Sequence, residues 1–193
     1  MRHNHTSILP IKQSGSALVI SMIILIMLML LGVTAVTTSN TQFQMAGNLQ
    51  FQNVSLNNAE AAISNAEIWL SNGTNFDNTG FTTYDQLNTP QLYPTGSAVD
   101  PLTTSWDNYD SVQVNDPVTG SPNPNQRYFI EQLSTSSVLI GSSTSTGGRQ
   151  SSACNKVNTY RITARGASAR GATKYVVSYY SVLKNNGDPT VGC

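Results

Sequence analysis

Charge is scarce in this chain. Only 10% of its 193 residues are charged, against about a quarter in ordinary soluble domains. The two signs cancel, so neither nucleic acid nor an anionic lipid surface is implied as a partner. Ser, Thr, Asn and Gln take the place of charge, a composition common outside the cytoplasm. Basic residues are missing from Gln13 to Gln126, where every charge is acidic: Glu60, Glu67, Asp77, Asp85, Asp100, Asp107, Asp110 and Asp116. From Arg127 onward basic residues dominate. The acidic and basic halves either attract each other within one fold or form complementary faces toward neighbours. Histidine occurs only as His3 and His5. No phosphate-cradling loop is present, because Gly147-Gly148-Arg149 lacks the Lys and the strand–helix context.

One stretch lacks charge altogether, from Gln13 to Ala59. Within it, residues 16–36 are predominantly apolar for about 21 residues, the length a helix needs to cross hydrocarbon. Ser21 and Thr34 can satisfy their hydroxyls on backbone carbonyls. Arg2 and Lys12 precede the run and nothing basic follows it for a long way, which places the N-terminus in the cytoplasm and sends the rest out. A secretory signal would carry a shorter apolar region of about 7–15 residues and a small-residue cleavage site; Val33-Thr34-Ala35 is a poor one.

The junction Lys12-Gln13-Ser14-Gly15, followed at once by the apolar run, resembles the prepilin leader of type IV pilins and type II secretion pseudopilins. The resemblance implies cleavage between Gly15 and Ser16 by prepilin peptidase and N-methylation of Ser16. The leader would be residues 1–15, and the helix would survive in the product. Most pilins carry Glu at the fifth mature position; here that position is Ile20. A carboxylate in a bilayer costs about 2.5–3.5 kcal/mol on insertion scales, so it is kept where it has a partner. In the family that partner is the terminal amine of a neighbouring subunit. A subunit without the acid suits a filament end better than a repeated position, a departure shared by the minor pilin PilX and the pseudopilin GspK.

Helical periodicity continues past the membrane. Met45, Leu49, Leu56, Ala59, Ile63, Ala66 and Leu70 recur at spacings of three, four and seven. Asn72-Gly73 supplies the stop, and Gly47 beside Asn48 is the expected hinge. The second half of this helix, 37–72, is expected to bury Leu56, Ile63 and Leu70 against its own head domain. The segments Gln44-Met-Ala-Gly-Asn-Leu49 and Ala59-Glu-Ala-Ala-Ile63 are similar to those of PilX-type minor pilins. The implied fold is α+β and pilin-like, a long N-terminal helix with a transmembrane first half packed on a C-terminal antiparallel sheet.

Residues 73–126 are polar and punctuated by six prolines, which predicts loops with short strands or turns. Asp107-Asn-Tyr-Asp110 and Asn115-Asp116 invite a calcium reading, but the spacing is not that of an EF-hand loop and a solvated turn is the simpler expectation. Strands are expected at 127–133, at 159–165 with Tyr160, Ile162 and Ala164 on one face, and at 174–184, with a hairpin loop over 166–173. Residues 134–152 are expected as a flexible surface connection. Cys154 and Cys193 both lie in the exported region, 127–193. In an oxidising compartment they either pair or remain as free or intermolecular thiols. A pair would close a loop of about 40 residues, worth about 3–4 kcal/mol, and the resemblance to pilins favours it.

With both histidines in the leader, the mature chain would hold no Ser–His or Cys–His nucleophile pair and no imidazole-based zinc site. The expectation is a non-enzymatic protein without a cofactor, calcium being the one ion worth considering. The resemblance implies a minor pilin that primes type IV pilus assembly within the tip complex. The alternatives are a tip adhesin using the polar 73–126 region and a GspK-type pseudopilin, which would need a larger inserted domain. Implied partners are other minor pilins and the major pilin, met through helix and head, together with prepilin peptidase and the inner membrane. Localisation would pass from inner membrane to periplasm and surface pilus.

Overall fold

The computed structural model describes residues 15–138 and 156–184. By its internal contacts the chain divides into two compact units, Met1–Asn48 and Leu49–Cys193. The helix α1, Ser16–Ser71, contributes to both.

In the first unit α1 is apolar on every side, and its best 18-residue window has a mean hydropathy of 2.9 with none of it buried. Length and composition suffice to cross a membrane. Its hydroxyls bond within the helix: Ser21 Oγ donates to Leu18 O at 2.8 Å and Thr34 Oγ1 to Leu31 O at 2.9 Å. Thr37, Thr38 and Thr41 donate in the same way to carbonyls three or four residues back. In hydrocarbon each such bond removes a polar group that would otherwise be left unsatisfied.

In the second unit α1 changes character. Ser55, Ala59, Ala62, Ile63, Ala66 and Leu70 are buried along one stripe. Four of these six are Ser or Ala, whose short side chains let another backbone come close. The stripe faces a five-stranded sheet formed by β1 (Leu92–Tyr93), β2 (Val112–Asn115), β3 (Pro122–Val138), β4 (Lys156–Ala167) and β5 (Thr173–Lys184). β3, β4 and β5 are antiparallel neighbours. The other edge of β3 is shared: β2 pairs with it antiparallel, and the two-residue β1 pairs with it parallel through Leu92 and Ile130. The sheet is therefore mixed, with one short parallel pairing in an otherwise antiparallel arrangement.

Strand alternation decides what meets the helix. Tyr128, Ile130, Tyr160, Ile162 and Ala164 join Ala62, Ile63, Ala66 and Leu70 in the main core, together with Phe76, Phe81, Leu92 and Val114. The strands are longer than their sequence patterns. β3 begins at Pro122 and continues to Val138, past the expected end at 133. Its far end tolerates polar residues through bulges near Ser134 and Ser137, and Asn158 Oδ1 accepts the Ser136 N–H at 2.8 Å. The hairpin loop is shorter than expected, because Gly166 and Ala167 pair with Lys174 and Thr173 as strand residues. The turn closes through Ser168 N–H to Ala172 O at 2.9 Å, with Gly171 at φ 76°.

The opposite face of the sheet is not simply solvated. Phe129 is fully buried there against Tyr93 and Trp106, with Tyr84 and Val99 alongside. Thr163, expected on the outer face, is 1% exposed. The covering layer is the polar 73–126 region, which carries two 3₁₀ turns, Asn75–Asp77 and Thr79–Phe81, besides β1 and β2. It is fastened by a half-buried ion pair between buried Glu131 and part-exposed Arg161, directly opposite each other on β3 and β4. Glu131 Oε1 also accepts the Ala98 N–H at 3.0 Å, and Arg161 Nη2 donates to Val99 O at 3.2 Å. Glu131→Gln should lower unfolding stability by about 1 kcal/mol, since it exchanges a charge-assisted contact with the part-exposed Arg161 guanidinium for a neutral one. Chemical denaturation of the purified protein would measure it, and an unchanged midpoint would contradict this account.

Candidate functional site

The residues expected to carry processing sit at the start of α1. Gly15 precedes the first helical residue, is exposed and has φ 102°, a backbone state that L side chains rarely adopt. Ser16 opens the helix and is exposed. Ile20 lies within the apolar run, 54% exposed, as one of a long series of exposed Leu, Ile, Val and Met side chains. The chemistry available here is hydrophobic association, with lipid or with other apolar helices. No titratable side chain exists from Gln13 to Ala59 to modulate it. Gly47 is helical, and nothing lies within 4 Å of where a Cβ would be. Cys154 and Cys193 lie outside the described residues.

The helix–sheet packing positions divide. Ile63 and Leu70 are in the core, whereas Leu56 is 38% exposed. At 100° per residue Leu56 falls on the flank of the buried stripe, and Ser55 takes the central position in its place. The reason lies across the interface. At Gly166 of β4 an added Cβ would stand 1.9 Å from Ser55 O and 2.4 Å from Ala59 N. Helix backbone and strand backbone are in direct contact, so only small residues fit between them. Around this contact Asn58 Nδ2 donates to Ala167 O at 2.7 Å, and Gln126 Nε2 donates to Asn58 Oδ1 at 3.0 Å. The Arg170 guanidinium lies 5.1 Å from the Phe51 ring centre, in cation–π range. From the sequence Gly166 is expected as the first residue of the 166–173 hairpin loop; a glycine at a strand end fits a turn as well as a close backbone approach.

Electrostatics of the head follow the halves only in part. Asp77 and Lys184 form an ion pair at 2.8 Å that joins the acidic and basic regions. Glu67 has no cationic partner among the described residues and accepts a hydrogen bond from Ser178 Oγ at 3.0 Å. Arg127 is 7% exposed and is held by neutral oxygens: Nε donates to Ser111 Oγ at 2.9 Å and Nη2 to Asn108 Oδ1 at 2.8 Å. Burial, with the Arg165 guanidinium directly opposite on β4, pulls its pKa down from the ordinary arginine value.

The acidic loop side chains serve turns. Asp107 Oδ1 accepts the Tyr109 and Asp110 N–H groups, and Asp116 Oδ1 accepts those of Val118 and Thr119. Asp85 accepts from the Asn88 side chain and from the Leu87 and Asn88 backbone. These hydrogen bonds, led by the Asn88 side chain at Asp85, Tyr109 N–H at Asp107 and Thr119 N–H at Asp116, hold all three carboxyls below the usual range. A depressed folded-state pKa contributes stability that is complete above the unfolded value of about 3.9 and is lost as pH falls through the folded value. The loops should therefore loosen below about pH 4, seen as a falling near-ultraviolet signal from buried Trp106 while far-ultraviolet helicity persists. Simultaneous loss of both signals would oppose this.

A long apolar N-terminal helix, whose second half packs on the sheet of a small α+β head, defines the pilin-like class. Residues 14–64, about a quarter of the chain, match the family model described as PilX N-terminal. That segment is similar to the N-terminal region of PilX-type pilins of type IV pili, and the match supports a type IV pilus-related pilin. No curated protein and no solved structure matches the chain.

Proposed function

We propose that this protein takes part in priming type IV pilus assembly and occupies the tip complex of the filament. The observation that carries the reading is Ile20, set in an apolar helix without a charge from Gln13 to Ala59. Lacking a carboxylate, the helix cannot neutralise the terminal amine of a neighbour, so a place at a filament end suits it and a repeated place along the shaft does not. In this reading prepilin peptidase cleaves after Gly15 and Ser16 is N-methylated. The helix is held in the inner membrane with its N-terminus in the cytoplasm, then leaves the bilayer to bundle with the helices of other minor pilins and the major pilin. The head makes the polar contacts, and the role is structural, without catalysis or cofactor.

Mass spectrometry of the mature protein should find an N-methylated Ser16. An intact leader, or cleavage near Ala35, would defeat the pilus-processing reading. Deletion should abolish or strongly reduce surface pili. Normal piliation with loss of attachment alone would favour a binding subunit over an assembly factor.

A further inference from the structure

Beside the C-terminal turn of α1, between it and β2, the head has an open cleft of about 330 Å³, at the lower end of the range for small-molecule sites. Its lining includes Trp69, Tyr128, Asn65, Asn72, Gln113 and Asn115, and no charged side chain. Two of the amides are oriented by the protein. Asn65 Nδ2 gives one of its two N–H groups to Ala61 O at 3.0 Å, which orients the amide and leaves Oδ1 as an acceptor. Gln113 Oε1 faces Arg127 Nη1 at 3.4 Å, which leaves Nε2 as a donor. The side chains of Asn72 and Asn115 make no hydrogen bond among the described residues, and both are exposed. Burial pushes the Tyr128 hydroxyl up to about 12, so it remains a protonated donor.

An anion would need donors only, and a cation acceptors only. A cleft offering fixed donors and fixed acceptors without charge suits a ligand whose groups do both, and the hydroxyl is that group. The indole of Trp69 adds an apolar wall whose electron-rich face attracts polarised C–H groups. Hydroxyls around a ring with a C–H face describe a pyranose. We infer that this cleft is a binding site for neutral glycans, with Trp69 supporting the sugar ring and the amides reading its hydroxyls. The site gives the head a recognition function beyond filament assembly and does not depend on that assembly role.

The test uses the full mature chain in an amine-oxide detergent, which carries no sugar headgroup. An array of neutral oligosaccharides containing galactose, mannose, glucose or N-acetylglucosamine is screened, and the best binder is titrated by calorimetry and tryptophan fluorescence. Saturable binding should appear, with Asn115→Ala and Trp69→Phe each weakening it about tenfold, in line with the loss of one hydrogen-bonded or stacked contact. Asn115 is exposed and unbonded among the described residues, so its truncation leaves the fold intact. Trp106 in the other core serves as the fluorescence control. Failure of every neutral glycan to bind, or binding indifferent to both variants, overturns the inference. So does preferential binding of a peptide or of acidic sugars at the same residues. Piliation of the Asn115→Ala strain separates the two readings: normal pili with lost glycan binding leave the assembly role standing. A deletion strain without pili, from a protein that binds no glycan, sinks only the glycan site.

Discussion

Gly166→Ala is expected to abolish the native packing of the head. The added methyl carbon would sit 1.9 Å from Ser55 O, 2.4 Å from Ala59 N and 3.0 Å from Ala59 Cα. All three neighbours are backbone atoms of a hydrogen-bonded helix, so no flexible side chain can move aside. Overpacking in cores costs about 1–3 kcal/mol when side chains can adjust. Here helix and strand must separate, and the loss should exceed about 4 kcal/mol, at the exceptional end for single substitutions. Separation would also break Asn58 to Ala167 and open the core around Ala62, Ile63 and Ala66. The purified variant should show early loss of cooperative unfolding and rapid proteolysis of the head. Gly47→Ala is the matched control, because nothing surrounds that position. In a helix interior the change should stabilise by about 0.5–1 kcal/mol. A Gly166→Ala protein that unfolds within 1 kcal/mol of the parent would show the close approach to be wrong.

The second large effect is expected at Phe129. Its side chain is fully buried on the sheet face away from α1, with ring centres 5.4 Å from Tyr93 and 5.3 Å from Trp106. Truncation to alanine removes the residue around which the smaller core is built and should cost about 3–5 kcal/mol. The consequence is directional. The Tyr93 and Trp106 segments lose their anchor, while Tyr128 and Ile130, on the same strand but the other face, keep their contacts with the main core. Limited proteolysis should therefore cut between residues 94 and 111 before it reaches the helix, and the Trp106 emission should shift to the red. Should the helix and this segment become accessible together, the two cores would be one cooperative unit and the division would fail.

Both positions mark where sequence reading stopped. Phe129 stood inside a β-prone run, and its alternation with Tyr128 and Ile130 showed that neighbouring residues point to opposite faces. It could not show that both faces would be covered. Thr163 and Arg161 alternate with Tyr160 and Ile162 and so point to the opposite face, away from the helix. The polar 73–126 region supplies the cover, with Tyr84, Tyr93, Val99 and Trp106 scattered at no regular period along it. Isolated aromatics among prolines and asparagines carry no local signal of a core. Likewise the contrast of acidic and basic halves promised ion pairs across the chain. Among the described residues one such pair, Asp77–Lys184, spans the halves, because strand register places Glu131 opposite Arg161 inside the basic half.

By itself the sequence determined what depends on neighbours along the chain. A charge-free apolar run makes a helix able to span a membrane, wherever the rest of the protein lies. The absence of any charge from Gln13 to Ala59, Ile20 included, is likewise read without reference to the fold. The periodic Ala59, Ile63, Ala66 and Leu70 named most of the buried stripe for the same reason. The tertiary structure alone decided what depends on residues far apart in the chain. It turned Gly166 from a loop residue into the point where strand and helix backbones touch, 107 and 111 positions from its partners at Ala59 and Ser55. It gave the sheet a second covered face, and it gathered Trp69 and four amides into one cleft. Periodicity records which way a side chain points; only the packed chain settles what stands there to meet it.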